Sequence, residues 1–331
     1  MENNTQKQLL KEYEQKRLQV MEDLEKRKSR LYDSNPKLKK IEEKLNELGI
    51  STAKLILQKN DKTYIDTLQK QVEELKLEKN KILDELHLAK DFLLPHYECN
   101  ICKDTGFIQN NNSTTMCSCF KQKLFNIEYN KSNISKLNTE NFSTFDFNLY
   151  SDKIEKEKYH SNISPRENIK IIKNIADTFI KNFDNPDEKN LLFLGNTGLG
   201  KTFLSNCIAN ELLNKGKTVL YQTSPIMLEN IIDARFGKTD NNICENVYSV
   251  DLLIIDDLGT ESINNTKHTE LFNIINTRLL NSNKITKTII STNLSAKDLL
   301  SLYDERIVSR FEGHYNICRF FGDDIRRIHN R

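Results

Sequence analysis

The chain has 331 residues, 29% of them charged and 37% hydrophobic, with 49 Lys and Arg against 47 Asp and Glu. That length calls for two or three folded units and suffices for at least one full core, and a net charge of +2 removes any bulk-charge argument for nucleic-acid binding. With no apolar leader-like segment and no run of about 18 apolar residues, a cytoplasmic location without a membrane partner is expected. Seven cysteines, an odd number with four clustered, fit a metal site better than a disulfide framework.

From about residue 7 to residue 93, apolar side chains recur three and four apart among many charges. Leu10, Tyr13, Val20, Leu24 and Leu31 trace one stripe. Leu38, Ile41, Leu45 and Leu48 trace another after Pro36, and Ile65, Leu68, Val72, Leu75, Ile82, Leu86, Ala89 and Leu93 a third. Narrow stripes flanked by Glu and Lys predict a coiled-coil-like helical arm over residues 1–94. Gly49 and Asn60-Asp61 are the expected breaks, and Pro95 the stop. Such an arm either packs on its own chain or binds a partner.

Residues 95–129 hold Cys99 and Cys102, then Cys117 and Cys119. A pair separated by two residues bites one metal ion from a knuckle, and a second close pair completes a tetrahedral thiolate set that favours Zn²⁺. The run from Gln109 to Thr115 reads as a polar loop whose ends a metal would hold together. His96 is a reserve ligand, while Cys207, Cys244 and Cys318 read as ordinary core residues. Residues 130–163 read as a polar linker that docks through Phe142, Phe145 and Phe147 on the unit that follows.

That unit, residues 164–331, opens with Ser164-Pro165-Arg166-Glu167, a capping box with Pro at the first helical position. Next, an apolar run Leu191–Leu194 leads into Gly195-Asn196-Thr197-Gly198-Leu199-Gly200-Lys201-Thr202, and helical spacing resumes at Phe203. Strand, Gly-rich loop and helix start form the context of a phosphate-binding P-loop, whose backbone N–H groups point at phosphate oxygens. The expected nucleotide-contacting set is Gly195 to Phe203, with Lys201 on the β- and γ-phosphates and Thr202 on Mg²⁺. Alternation continues through Thr218–Tyr221 and a helix from Ser224-Pro225, which predicts an α/β parallel sheet covered by helices. An unbroken apolar strand then ends in Asp256-Asp257; Asp256 is expected to hold the Mg²⁺ shell, and Asp257 to orient or deprotonate the attacking water. Asn293, at the tip of the strand Thr288–Thr292, is placed to sense the γ-phosphate, or else caps the helix that begins near Ser295. Arg306 and Arg310 fall one helical turn apart, where they either serve a neighbouring subunit's nucleotide or pair with Glu305 or Glu312. Ile317–Phe321 reads as a closing strand, with too few residues after it for a helical lid.

Taken in order, the P-loop, Asp256-Asp257, Asn293, Glu305-Arg306 with Ser309-Arg310-Phe311, and Asp324-Ile325-Arg326 resemble the AAA+ ATPases of the DnaC/DnaI replicative-helicase-loader branch, which also contains the IstB transposition helpers. The resemblance covers roughly residues 140 to 331. It implies an AAA+ fold, ATP hydrolysis with Mg²⁺, self-assembly through the ATPase domain and contact with single-stranded DNA. By the same resemblance Arg310 is the arginine finger, Arg306 its companion and Arg326 the second sensor, and the helical and zinc-bearing front half grips the hexameric replicative helicase. Many AAA+ proteins carry Glu where Asp257 stands, and the arm is longer than the front of a typical loader. A transposition helper acting on duplex DNA and a nucleotide-gated scaffold with little hydrolysis are the alternatives.

Overall fold

The computed structural model describes residues 2–57, 62–110, 113–128, 139–238, 242–262 and 265–327, in two compact units, Met1–Cys117 and Ser118–Arg331. No helix among the described residues is long and apolar enough to cross a membrane.

The first unit is built on α1 (Glu2–Ser34), α2 (Pro36–Leu57) and α3 (Lys62–Glu85). Its core is small: Leu31, Leu38, Leu83 and Leu93 are buried together, with Tyr32, Ile82, Leu88 and Phe92 packed against them. Pro36 opens α2, a position where its missing N–H costs nothing. The helix then runs unbroken through Gly49, where a break was expected; that glycine is exposed, and its penalty of about 1 kcal/mol is small against tertiary packing. The break expected at Asn60-Asp61 lies outside the described residues. α3 stops at Glu85 instead of continuing toward residue 93. His87 adopts φ 54°, and its N–H donates to Asp84 O while Leu88 N–H donates to Leu83 O at 2.9 Å. This is a Schellman closure made without glycine. The chain then turns Leu93 back onto Leu31, and Arg27 on α1 donates to Phe92 O at 2.8 Å and Leu94 O at 3.2 Å. Where a polar loop was expected over 109–115, β1 (Phe107–Asn110) and β2 (Ser113–Met116) pair as an antiparallel hairpin, favoured by the β-branched Thr114 and Thr115.

The second unit contains five parallel strands: β3 (Asn190–Leu194), β4 (Val219–Thr223), β5 (Leu252–Leu258), β6 (Lys287–Thr292) and β7 (Tyr315–Arg319), in the order β4-β5-β6-β3-β7. Side chains alternate between faces with period two. Leu192, Leu220, Leu253, Ile255 and Ile290 join one core; Leu191, Phe193, Val219, Leu252, Ile254 and Ile289 join the other. Both faces are therefore covered, as an all-parallel sheet requires. Phe142, Phe145, Phe147 and Leu149 dock on the second core, as the aromatic content of that stretch predicted. At Ser164 the cap is half of the expected box: its hydroxyl accepts from Glu167 N–H, with no reciprocal bond from the Glu167 side chain.

One sheet edge is covered by a side chain. Gln122, on α4 (Ser118–Glu128), accepts from Val219 N–H at 2.7 Å and donates to Val219 O at 3.0 Å, so its amide acts as one residue of an additional strand. Gln122→Ala removes both of these hydrogen bonds and is expected to lower stability by about 1–3 kcal/mol. Urea unfolding of the full chain measures this, and an unchanged midpoint would show that water replaces the amide without loss.

Candidate nucleotide site and cysteine centre

The site forms at the carboxyl ends of the strands, where ligands bind in open parallel sheets. β6 lies between β3, which feeds the P-loop, and β5, which carries the two acids. Residues at the tip of β6 can therefore reach both. In the P-loop, Gly198 (φ 75°) and Gly200 (φ 88°) take left-handed conformations, and a Cβ at Gly198 would lie 1.9 Å from Asp324 Oδ1. The helix Lys201–Asn214 begins at the loop with no side-chain cap. Its first N–H groups and positive dipole end are the anion-binding elements of such a loop.

Lys201 is only 6% exposed. Its ammonium donates to Gly195 O at 2.5 Å, Asn196 O at 2.8 Å and Asn293 Oδ1 at 2.8 Å. Burial lowers its pKa to about 8; Asp256 and Asp257 resist that shift and Arg326 adds to it. Asp256 is 5% exposed and accepts from three hydroxyls: Thr202 Oγ1 at 3.1 Å, Tyr221 Oη and Ser291 Oγ. Burial, and then the Asp256 charge, raise Tyr221 and keep it a donor. Asp257 sits at φ 55°, its N–H donating to Ser291 Oγ at 3.3 Å. Its carboxyl is raised by burial and by Asp256, against the lowering influence of Lys201 and Asn293.

A cavity of about 380 Å³ is lined by Thr197 to Phe203, Asp257, Asn293, Ile325, Arg326 and Glu140. Sequence-predicted Lys201, Thr202, Asp256, Asp257, Asn293 and Arg326 are thus brought together at or beside one cleft. Asn293 does not cap the following helix; Ser295 does so with Asp298. Arg306 and Arg310 lie outside the cleft on the helix Glu305–His314. Both guanidinium groups stand over the Phe272 ring, at 5.0 and 5.8 Å. Arg306 pairs with Asp304 at 2.7 Å rather than with Glu305 or Glu312, and Arg310 donates to Asn276 Oδ1 at 3.1 Å. Sequence reasoning missed Tyr221, Ser291, Glu140 and Tyr150, whose hydroxyl donates to Leu199 O at 3.1 Å. Tyr221 and Ser291 share their strands with other polar residues, so nothing in the sequence singled them out.

The Sγ atoms of Cys99, Cys102, Cys117 and Cys119 all lie within 4.8 Å of one another, an arrangement able to hold a metal ion. Cys99 and Cys117 are 3.9 Å apart, close to the roughly 3.8 Å edge of a tetrahedral Zn–thiolate site. The knuckle is shaped by Asp104, 3% exposed with φ 54°, whose carboxylate accepts from Cys99 N–H at 2.8 Å and Glu98 N–H at 2.9 Å. His96 is outside this group and contacts Asp91.

A P-loop and an acidic strand joined across a polar-tipped strand, within a helix-covered parallel sheet, define a P-loop ATPase domain of the AAA+ class. Residues 161–317 match the family described as the bacterial DnaA ATPase domain. The chromosomal replication initiator DnaA of Buchnera aphidicola subsp. Cinara cedri is 31% identical over 173 residues, covering 50% of this chain and 37% of that protein. The replicative helicase loader DnaC of Buchnera aphidicola subsp. Acyrthosiphon pisum is 30% identical over 148 residues, covering 44% of this chain and 57% of that protein. Among solved structures, AMPPCP-bound DnaA from Aquifex aeolicus is 25% identical with a TM-score of 0.42, over 49% of each chain. Residues 161–317 are thus similar to the ATPase domains of DnaA-type proteins, and the resemblance to DnaC/DnaI-type loaders is met among the relatives. The chain spans 37% to 57% of the length of these two curated relatives.

A pKa of about 8 gives Lys201 a testable signature. At pH 8 roughly half of its amines are neutral, against less than about 1% of an ordinary lysine. Trace acetic anhydride labelling of the folded chain should rise at Lys201 with a midpoint near pH 8 and fall away below pH 7, read by peptide mass spectrometry. A midpoint above 10 would show that the site does not desolvate this amine.

Proposed function

We propose that the chain is an ATP-dependent loader of the replicative DNA helicase onto single-stranded DNA at replication initiation. The observation that carries this reading is the link from Lys201 through Asn293 to the Asp256-Asp257 pair, in a domain whose relatives are replication initiators and helicase loaders. Lys201 would bind and orient the β- and γ-phosphates, Asn293 would register the γ-phosphate, and Asp257 would hold the attacking water or take its proton. Thr202 Oγ1 and Asp256 Oδ2, oxygen donors 3.1 Å apart beside the loop, suit a hard cation. Bound Mg²⁺ would supply neutralisation of the charge on the phosphate oxygens.

Arg326 is the second sensor in this reading, and Arg310 with Arg306 serves the nucleotide of a neighbouring copy, so the site is completed by self-assembly. The four thiols would hold Zn²⁺ and fix the fold of their knuckle. Residues 1–94 form an arm and 95–129 the zinc module, which together grip the hexameric helicase. Residues 130–163 link them to the ATPase domain, 164–331, which contacts DNA.

Lys201→Ala should abolish nucleotide binding, measured by fluorescent-nucleotide titration; retained binding would sink the phosphate-loop assignment. Arg310→Ala should keep that binding but lose hydrolysis stimulated by helicase and single-stranded DNA, by about 10³-fold or more. The full chain should co-purify with the hexameric helicase and carry about one zinc per chain, and chelation should abolish the co-purification while sparing nucleotide binding. Failure to retain the helicase with zinc present would refute the loader reading.

A further inference from the structure

The hydroxyl groups around Asp256 form a built arrangement that the phosphate-loop chemistry leaves unexplained. β5, the strand of Asp256, has β4 on one side and β6 on the other. Tyr221 projects from β4, paired with Ile254 two residues before the acid. Ser291 projects from β6, one step beyond the Ile255↔Ile290 pair. Both are buried, at 2% and 0% exposure. The Tyr221 hydroxyl donates to Asp256 Oδ2 and the Ser291 hydroxyl to Asp256 Oδ1. A carboxylate held at both oxygens from opposite sides cannot rotate about its terminal bond without breaking a buried, charge-assisted hydrogen bond. Thr202 also donates to Oδ2, so the fixed oxygen is the one that faces the loop.

We infer that Tyr221 and Ser291 are positioning residues for Mg²⁺: they lock the Asp256 carboxylate so that Oδ2 is presented toward Thr202 before any cation arrives. The inference rests on the nucleotide-site reading above and deepens it. Partners of this kind orient metal-bound carboxylates, and their loss typically costs 10- to 100-fold in metal affinity. Tyr221 has a second consequence. It brings β4, the strand whose outer edge Gln122 covers, into the cation site, so the site draws on β4, β5 and β6 together.

The test uses the full chain with Tyr221→Phe, which keeps the ring packing, and Ser291→Ala as an independent variant. Affinity for a fluorescent ADP analogue is titrated with Mg²⁺ and measured separately in EDTA. Each variant should need 10- to 100-fold more Mg²⁺ to reach half of the metal-dependent gain, with metal-free affinity unchanged. In an Asp256→Asn background the Tyr221→Phe effect should disappear, because the group it orients is gone. Wild-type Mg²⁺ dependence in both variants, or an undiminished Tyr221→Phe effect in the Asp256→Asn background, would overturn the inference. A wild-type chain that binds the analogue with no response to Mg²⁺ would instead overturn the underlying site reading.

Discussion

Everything at the site depends on β6 lying between the P-loop strand and the acidic strand. A parallel sheet places strand ends on one edge, and the inserted strand sets the spacing at which loop and acids face each other. Asn293 bridges that gap: its side-chain oxygen accepts from Lys201, and its side chain hydrogen-bonds Asp257. An ammonium that is 6% exposed is tolerated because three oxygens satisfy its three protons. The same burial lowers its pKa and leaves it ready to gain charge stabilisation from an anion. Lys201, Asn293 and the two acids therefore act as one electrostatic unit, and removing any one would unbalance the rest.

Legibility in the sequence followed how local each interaction is. The P-loop is contiguous, its glycines are dictated by close approaches such as Gly198 against Asp324, and its flanking strand and helix are strongly patterned. Asp256 and Asp257 sit at the end of an apolar run, which places them on the sheet edge, and Asn293 sits at the tip of a β-rich strand. Tyr221 and Ser291 could not be read in this way. Their role arises only from the register of three strands drawn from separate parts of the chain, and in sequence each is one of several polar residues in its strand. The arm shows the same limit from another side. The helical periodicity was legible, but the end of α3 is set by a left-handed histidine and two backbone hydrogen bonds, with neither glycine nor proline at the turn. Gly49 fails as a break for the converse reason: an exposed glycine costs a helix too little to stop it when the flanking turns are held by other contacts.

The stretch 139–163 changes what counts as the nucleotide site. Glu140 lines the cavity and accepts from the buried Asn206 at 2.6 Å. The Phe145 ring meets Phe203 edge-on at 5.7 Å, and Tyr150 donates to the loop carbonyl of Leu199. Farther along, Lys158 and Tyr159 both reach Asp323, at 2.8 and 3.2 Å, three residues before Arg326. One continuous segment thus touches the phosphate loop at one end and the turn that carries Arg326 at the other. Packed interiors transmit displacement rather than absorb it, so a shift of the Gly198–Lys201 backbone must be felt by Tyr150, and a shift of Arg326 by Tyr159. Coupling between nucleotide and this segment follows from contact alone and needs no separate domain to carry it. The Arg306–Arg310 helix stands apart from that route, with both guanidinium groups over Phe272 and away from this cleft. The chain therefore holds a cleft wired to the segment that precedes the ATPase core, and a pair of arginines that this cleft does not use.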